Sequence, residues 1–166
     1  RAWDSLGMPI VVSIAGGSVS EFRDLAGALE GYPGASAIEA NFSCPNVQDG
    51  MEFATDPALL AAATAAILEA TSLPLIAKLS PNVTDLRPLA VTAQKAGAHA
   101  LTIMNTILGM KIDVKNRRPF IGARFAGLSG PAIRPVGVRL VYQVWPEVDI
   151  PIIGAGGIGS ADDALE

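Results

Sequence analysis

Four groups of residues have types and spacing that could do chemistry. The first is the run Asn41-Phe42-Ser43-Cys44-Pro45-Asn46, which holds the chain's sole cysteine. A free cysteine is most often a small buried hydrophobe. Two amides, a hydroxyl and a proline around one thiol instead make a polar, rigid loop, from which a thiolate could take or give a proton. No His or Lys adjoins Cys44 in sequence to lower its pKa. The second is Lys78, set inside the apolar run Ile76-Ala77-Lys78-Leu79. Burying an ammonium is unfavourable unless an anion or an electron-rich acceptor meets it. A ligand-binding or catalytic lysine and a salt-bridged structural lysine both satisfy that demand. The third is Gly156-Gly157-Ile158-Gly159-Ser160, with Ser129-Gly130 as a second small turn. Such turns ahead of helices can cradle a phosphate with backbone amides, or be plain left-handed turns. The fourth is the set of amides Asn41, Asn46 and Asn105, the last followed by Thr106. Amides donate and accept together, which suits a planar cyclic amide or imide.

Positioning these groups falls to a repeating chain. Short apolar runs alternate with longer helical stretches, the pattern of βα units. Strands are expected over Pro9–Ala15, Ala35–Phe42, Pro74–Leu79, Ala100–Met104 and Ile150–Gly154. Helices are expected from about Ser20 to Leu29, after the Asp56-Pro57 start signal, after Asn82, Thr84 or Asp85, over Pro131–Val144, and after Ser160. The third helix should stop at Gly97. Leu108–Leu128 is too long for an ordinary connection, and such loops are usually functional. The near-continuous apolar strands suit a parallel sheet covered on both faces.

Two architectures accommodate about five consecutive βα units, a doubly wound sheet and part of a (β/α)8 TIM barrel. Ser13, Asn41, Cys44, Lys78, Asn105-Thr106 and Gly156-Gly157 all fall near the C-terminal ends of different strands. A barrel's active face is built that way, whereas a doubly wound sheet gathers its contacts at one switch point. The α/β barrel is therefore the expected fold. His99, which precedes a strand, belongs to the opposite face and to a structural role.

Composition narrows the function further. The 166 residues are 50% hydrophobic and 17% charged, with a net charge of −4. There is no basic block for a nucleic acid. The longest apolar stretch, Ala58–Leu68, is far short of the roughly 18 residues that span a bilayer. One cysteine leaves no cysteine-cluster metal site, and no metal is expected. The chain begins at Arg1 and stops at Glu166 inside an incipient helix, so residues 1–166 read as a partial barrel domain. It is about three units short of a barrel of roughly 250 residues.

Five segments, IEANFSCPNV, AKLSPNVTD, NTILGMKIDVKNRRP, GLSGPAIRPVGVRLVYQV and IPIIGAGGI, resemble the dihydroorotate dehydrogenases, and the resemblance runs through essentially the whole chain. The third and fourth resemble the NAD-linked, heteromeric class. The resemblance implies a cytoplasmic, FMN-containing barrel that oxidises dihydroorotate to orotate in pyrimidine biosynthesis. Cys44 then matches the catalytic base, and Asn41, Asn46, Asn105 and Thr106 match substrate-binding positions. Ser13, Asn41, Lys78, Met104, Gly130, Gly156 and Gly157 match contacts to FMN. It also implies a homodimer within a heterotetramer whose second subunit carries FAD and an iron–sulfur cluster and passes electrons to NAD. Ser13 departs from the Asn often found there, and Phe125-Ala126 departs from the usual Thr-Gly. Two rival readings are a pyrimidine-reducing module of the dihydropyrimidine dehydrogenase type and an inactive barrel piece with only a structural or binding role.

Overall fold

The computed structural model describes residues 7–43, 53 and 55–166. Five parallel strands carry the frame: β1 (Ile10–Ile14), β2 (Ala35–Asn41), β3 (Leu75–Lys78), β4 (Ala100–Ile103) and, after an excursion of small strands, β9 (Ile152–Gly154). Their order in the sheet is their order in the chain. A doubly wound sheet would reverse that order at its switch point, so this is one arc of a barrel.

Local chemistry sets where the helices start and stop. Ser18 caps α1 (Val19–Leu29) by accepting from the Glu21 amide, and the Glu21 carboxylate accepts from the Gly17 amide at 2.6 Å. Asp56 caps α2 (Pro57–Ala70) by accepting from Ala58 and Leu59, with Pro57 at the first helical position. The start of α3 (Arg87–Lys95) differs from expectation. Neither Asn82 nor Thr84 caps it; Leu86 holds the cap position, and Asp85 accepts from the Arg87 amide at 3.0 Å. Gly97, at φ +104°, ends α3, with Ala98 N–H donating to Ala93 and Gly97 N–H to Gln94. Ser160 caps α5 (Ala161–Leu165).

The helices lie side by side, α1 against α2 and α2 against α3, and cover one face of the sheet. Ile14, Ile38, Ala40, Leu75, Ala77, Leu101 and Ile103 point outward from the strands and are buried beneath them. α2 meets this layer with Leu60, Ala63, Thr64 and Ile67, one stripe at helical spacing. Each such large apolar side chain contributes about 1.5–3 kcal/mol by burial. At one end of this core Phe22, Phe42 and Phe53 stack with ring centroids 5.1–6.3 Å apart.

The opposite face of the sheet alternates with the buried one and is polar toward the strand ends. Ser13, Glu39, Asn41, Lys78 and Thr102 all lie on it by strand register. This face is concave. Glu39 on β2 bonds Thr102 on β4 at 2.8 Å, and Asn41 bonds Asn105 at 3.0 Å, both reaching across β3. Flat strands two places apart would stand about 9.6 Å from one another.

The long connection after β4 is not structureless. It folds as two antiparallel ribbons, β5 (Ile107–Gly109) with β8 (Ala126–Leu128) and β6 (Ile112–Asp113) with β7 (Arg118–Pro119). The predicted helix over Pro131–Val144 divides into a 3-10 turn (Pro131–Ile133) and α4 (Arg134–Val144). Among the described residues no helix is long and apolar enough to cross a membrane.

Candidate active site

The strand ends bring together residues far apart in sequence. Asn41 is the last residue of β2 and pairs in register with Lys78, the last residue of β3. The Asn41 Oδ1 accepts three bonds: from Ser43 N at 3.3 Å, Ser43 Oγ at 2.8 Å and Asn105 Nδ2 at 3.0 Å. Asn105 Nδ2 also donates to Ser43 Oγ, and its Oδ1 accepts from the Thr106 amide at 2.8 Å. The two amides expected to face a ligand are thus locked to each other through Ser43. The hydroxyl of Ser43, read from the sequence only as part of a polar loop around the thiol, is part of the rim.

Cys44 and Asn46 lie outside the described residues. Phe42 and Phe53 stand on either side of them in sequence, and both are buried on Phe22 of α1.

Lys78 is half-buried, with its Nζ 3.5 Å from Oε1 of Glu39. Glu39 is a residue the sequence reading missed. Its signal was there: one carboxylate, alternating with Asn41, in an otherwise apolar strand. It also accepts from Ser13 Oγ at 3.3 Å and Thr102 Oγ1 at 2.8 Å. The hydroxyl of Ser13, expected at the ligand, is therefore turned toward Glu39. Among the described residues no cluster of three or more His, Cys, Asp or Glu could hold a metal ion.

The segment after β4 is braced from the side. Asn82 Nδ2 donates to the Thr106 carbonyl at 3.1 Å, and its Oδ1 accepts from the Leu108 amide at 2.8 Å. Asn82, offered by the sequence as a helix cap, fastens the rim instead. Thr106 then sits against Gly127 of the neighbouring ribbon strand, so closely that a Cβ on Gly127 would overlap the Thr106 side chain. Met104 is buried, and its methyl group lies beside Gly137 of α4 and Gly156. Its side chain belongs to the layer between sheet and helix, which leaves its main chain at the strand end.

The small turns also converge. Gly130 (φ +90°) opens the turn before α4, and Gly156 (φ +111°) and Gly157 (φ +77°) follow β9. A Cβ on Gly157 would come within 2.7 Å of the Gly130 carbonyl and 2.9 Å of the Arg134 amide. Glycine is thus demanded both by the positive φ and by the close approach of two main chains. Arg134 joins this corner to α5 through ion pairs with Asp163 and Glu166.

The chain as a whole is matched by known proteins. The family profile for dihydroorotate dehydrogenase matches residues 3–166. The chain belongs to the dihydroorotate dehydrogenase family. It is 56% identical over 160 residues to a dihydroorotate dehydrogenase B (NAD(+)), catalytic subunit, of Desulforudis audaxviator, covering 96% of this chain and 52% of that protein. The protein of the same name from Shouchella clausii is 45% identical over 165 residues, covering 99% and 54%. The chain therefore spans about half the length of the curated relatives it matches. A crystal structure of the dihydroorotate dehydrogenase of Eimeria tenella in complex with ferulenol superposes with a TM-score of 0.71. It is 20% identical and covers 88% of this chain and 44% of that one. That likeness carries the barrel fold.

Proposed function

We propose that the protein oxidises dihydroorotate to orotate with FMN, as the barrel of an NAD-linked dihydroorotate dehydrogenase of the cytoplasm. The observation that carries the reading is the convergence at one set of strand ends of the Asn41–Ser43–Asn105 amide rim, the Lys78 ammonium and the Gly130/Gly156/Gly157 corner.

FMN fits the residues present. A flavin phosphate needs close backbone approach, which the side-chain-free corner at Gly130, Gly156 and Gly157 allows. The flavin ring needs a cation to balance charge on reduction, which Lys78 offers from the inner face of β3. When bound, FMN supplies the acceptor for the hydride that leaves C6 of the substrate.

The chain's own residues do the rest. Asn41, Asn46 and Asn105 hold the ring amides and carbonyls of the substrate, with Thr106 adding a hydroxyl. Ser43 keeps Asn41 and Asn105 oriented, so their remaining donors and acceptors face a ligand without reorganising. Cys44 accepts the proton from C5. The relatives' name, catalytic subunit, supports a separate partner that takes the electrons on to NAD. We assign FAD and an iron–sulfur cluster to that partner, and a homodimer of this subunit to the assembly's centre.

The test is anaerobic mixing of the full-length purified protein with dihydroorotate while following absorbance at about 450 nm, where oxidised flavin absorbs. Bleaching is expected. Cys44→Ala should stay yellow but reduce about 10²–10⁴-fold more slowly, the usual worth of a general base. A protein that stays yellow with dihydroorotate moves the substrate to a dihydropyrimidine. A colourless protein sinks the flavin reading.

A further inference from the structure

Glu39 has more partners than a carboxylate on the inner face of a sheet needs for solvation alone. Its two oxygens receive a hydroxyl from β1 (Ser13), a hydroxyl from β4 (Thr102) and the ammonium of β3 (Lys78), so one side chain of β2 ties four successive strands. Thr102 is 2% exposed, and the side chains of Lys78 and Glu39 are only 26% and 17% exposed. Water therefore screens this group weakly, and a charge here acts on its neighbours more strongly than one at the surface.

The geometry also leaves Lys78 with capacity. Charge-assisted N–H···O bonds usually close to about 2.7–2.9 Å. The Lys78–Glu39 separation is 3.5 Å, and an ammonium has three donors. Hydroxyls from strands on either side, Ser13 of β1 and Thr102 of β4, fix the carboxylate, so it serves as a fixed anchor toward which the flexible lysine is drawn. Asn41, two residues beyond Glu39 on the same face of β2, is the level at which the amide rim begins.

We propose that Glu39 is a positioning residue for Lys78. It holds the ammonium just below the amide rim and sets how much positive charge that lysine presents to an electron-rich ring bound there. This rests on the flavin reading above. The ring gains negative charge on reduction, so Lys78 stabilises the reduced form while the Glu39 carboxylate offsets part of that effect.

Glu39→Gln separates charge from shape. The glutamine carbonyl still accepts one hydroxyl and fills the same volume, but the ion pair is gone. In the full-length FMN-bound protein the variant should shift the flavin midpoint potential positive. The expected size is about tenfold in the reduced-to-oxidised ratio, or about 30 mV for a two-electron couple. Glu39→Asp keeps the charge and should move the potential back toward wild type. In flavin-free protein, Lys78 of Glu39→Gln should be acylated several-fold faster by an amine-reactive reagent, read by peptide mass spectrometry. A merely structural role would lower the melting temperature and leave both readouts where they were. A potential that stays put or moves negative in a variant that binds FMN overturns the assignment. If wild type binds no FMN, the flavin reading fails by itself, and equal Lys78 labelling in wild type and Glu39→Gln overturns the ion-pair anchor independently. If Glu39→Gln does not fold, Glu39→Ala removes the same charge, and a potential and Lys78 labelling identical to wild type in that variant overturn it as well.

Discussion

The two ends of the strands are both polar, and they use polarity differently. At the N-terminal ends, side chains bond mostly to main chain. Glu30 accepts from the Ser72 amide at 2.7 Å as well as from the Thr71 and Ser72 hydroxyls. His99 Nδ1 accepts from the Leu75 amide at 3.1 Å, and Gln94 Oε1 accepts from the amides of Asp149 and Ile150. At the C-terminal ends, side chains bond mostly to one another, as in Asn41–Ser43–Asn105 and Ser13–Glu39–Lys78–Thr102. A bond to main chain fixes a loop and uses the side chain up. A side-chain network fixes orientations while amides and an ammonium keep donors in reserve for a ligand. One end is thus built to hold the barrel together and the other to hold something else, the division of labour known for barrel enzymes.

Substitutions can break that contrast. The largest effect is expected for Lys78→Met, which keeps the apolar stem and removes the ammonium. The FMN dissociation constant should rise about 10- to 100-fold, the worth of one charge-assisted contact. An unchanged FMN titration would make Lys78 a structural partner of Glu39 and nothing more.

Gly127→Ala tests whether the ribbons matter to the rim. The new methyl group would overlap Thr106 and must push it off its place between β8 and the Asn82 brace. Overpacking of this kind costs about 1–3 kcal/mol, and KM for dihydroorotate should rise about tenfold with FMN affinity unchanged. Equal steady-state kinetics in the variant and wild type would take Thr106 out of substrate binding.

The smallest effect belongs to the other end. Three hydrogen bonds from Thr71 and Ser72 hold the Glu30 carboxyl below its ordinary value of 4.5. The unfolded chain therefore takes up this proton before the folded one does, and stability rises with pH through that window. The contribution is full above the ordinary value and is lost as pH falls through the lowered one. Glu30→Gln should flatten the acid limb of a melting-temperature profile below about pH 4.5, leaving the slope that Asp85 beside Arg87 and Asp113 beside Asn116 supply. FMN affinity at neutral pH should not change. An acid limb as steep as wild type's would detach Glu30 from the stability of that end.

Much of the frame was legible in the sequence because its causes are local. Asp56-Pro57, Ser160 and Gly97 act on amides within a few residues, so a cap or stop can be read where it stands. Lys78 and Asn41 were legible as exceptions, polar groups in apolar strands. Asn82 was misread because a cap and a brace use the same side-chain oxygen, and only the position of the Thr106–Leu108 segment distinguishes them. The ribbons in 107–128 were read as a loop because strands of two or three residues are too short to show an alternation.

The sequence by itself determined the succession of βα units, those helix boundaries set by a local cap or stop, the apolar layer between strands and helices, and the polar residues that close the strands. These follow from periodicity and from bonds that span a few residues. Only the tertiary structure decided that Glu39 would anchor Lys78, that Ser43 would join Asn41 to Asn105, and that Gly157 would meet Gly130. Each of these joins side chains or turns on separate strands and depends on how sharply the sheet curves. Curvature is a property of five strands packed under their helices, and no single stretch of chain carries it.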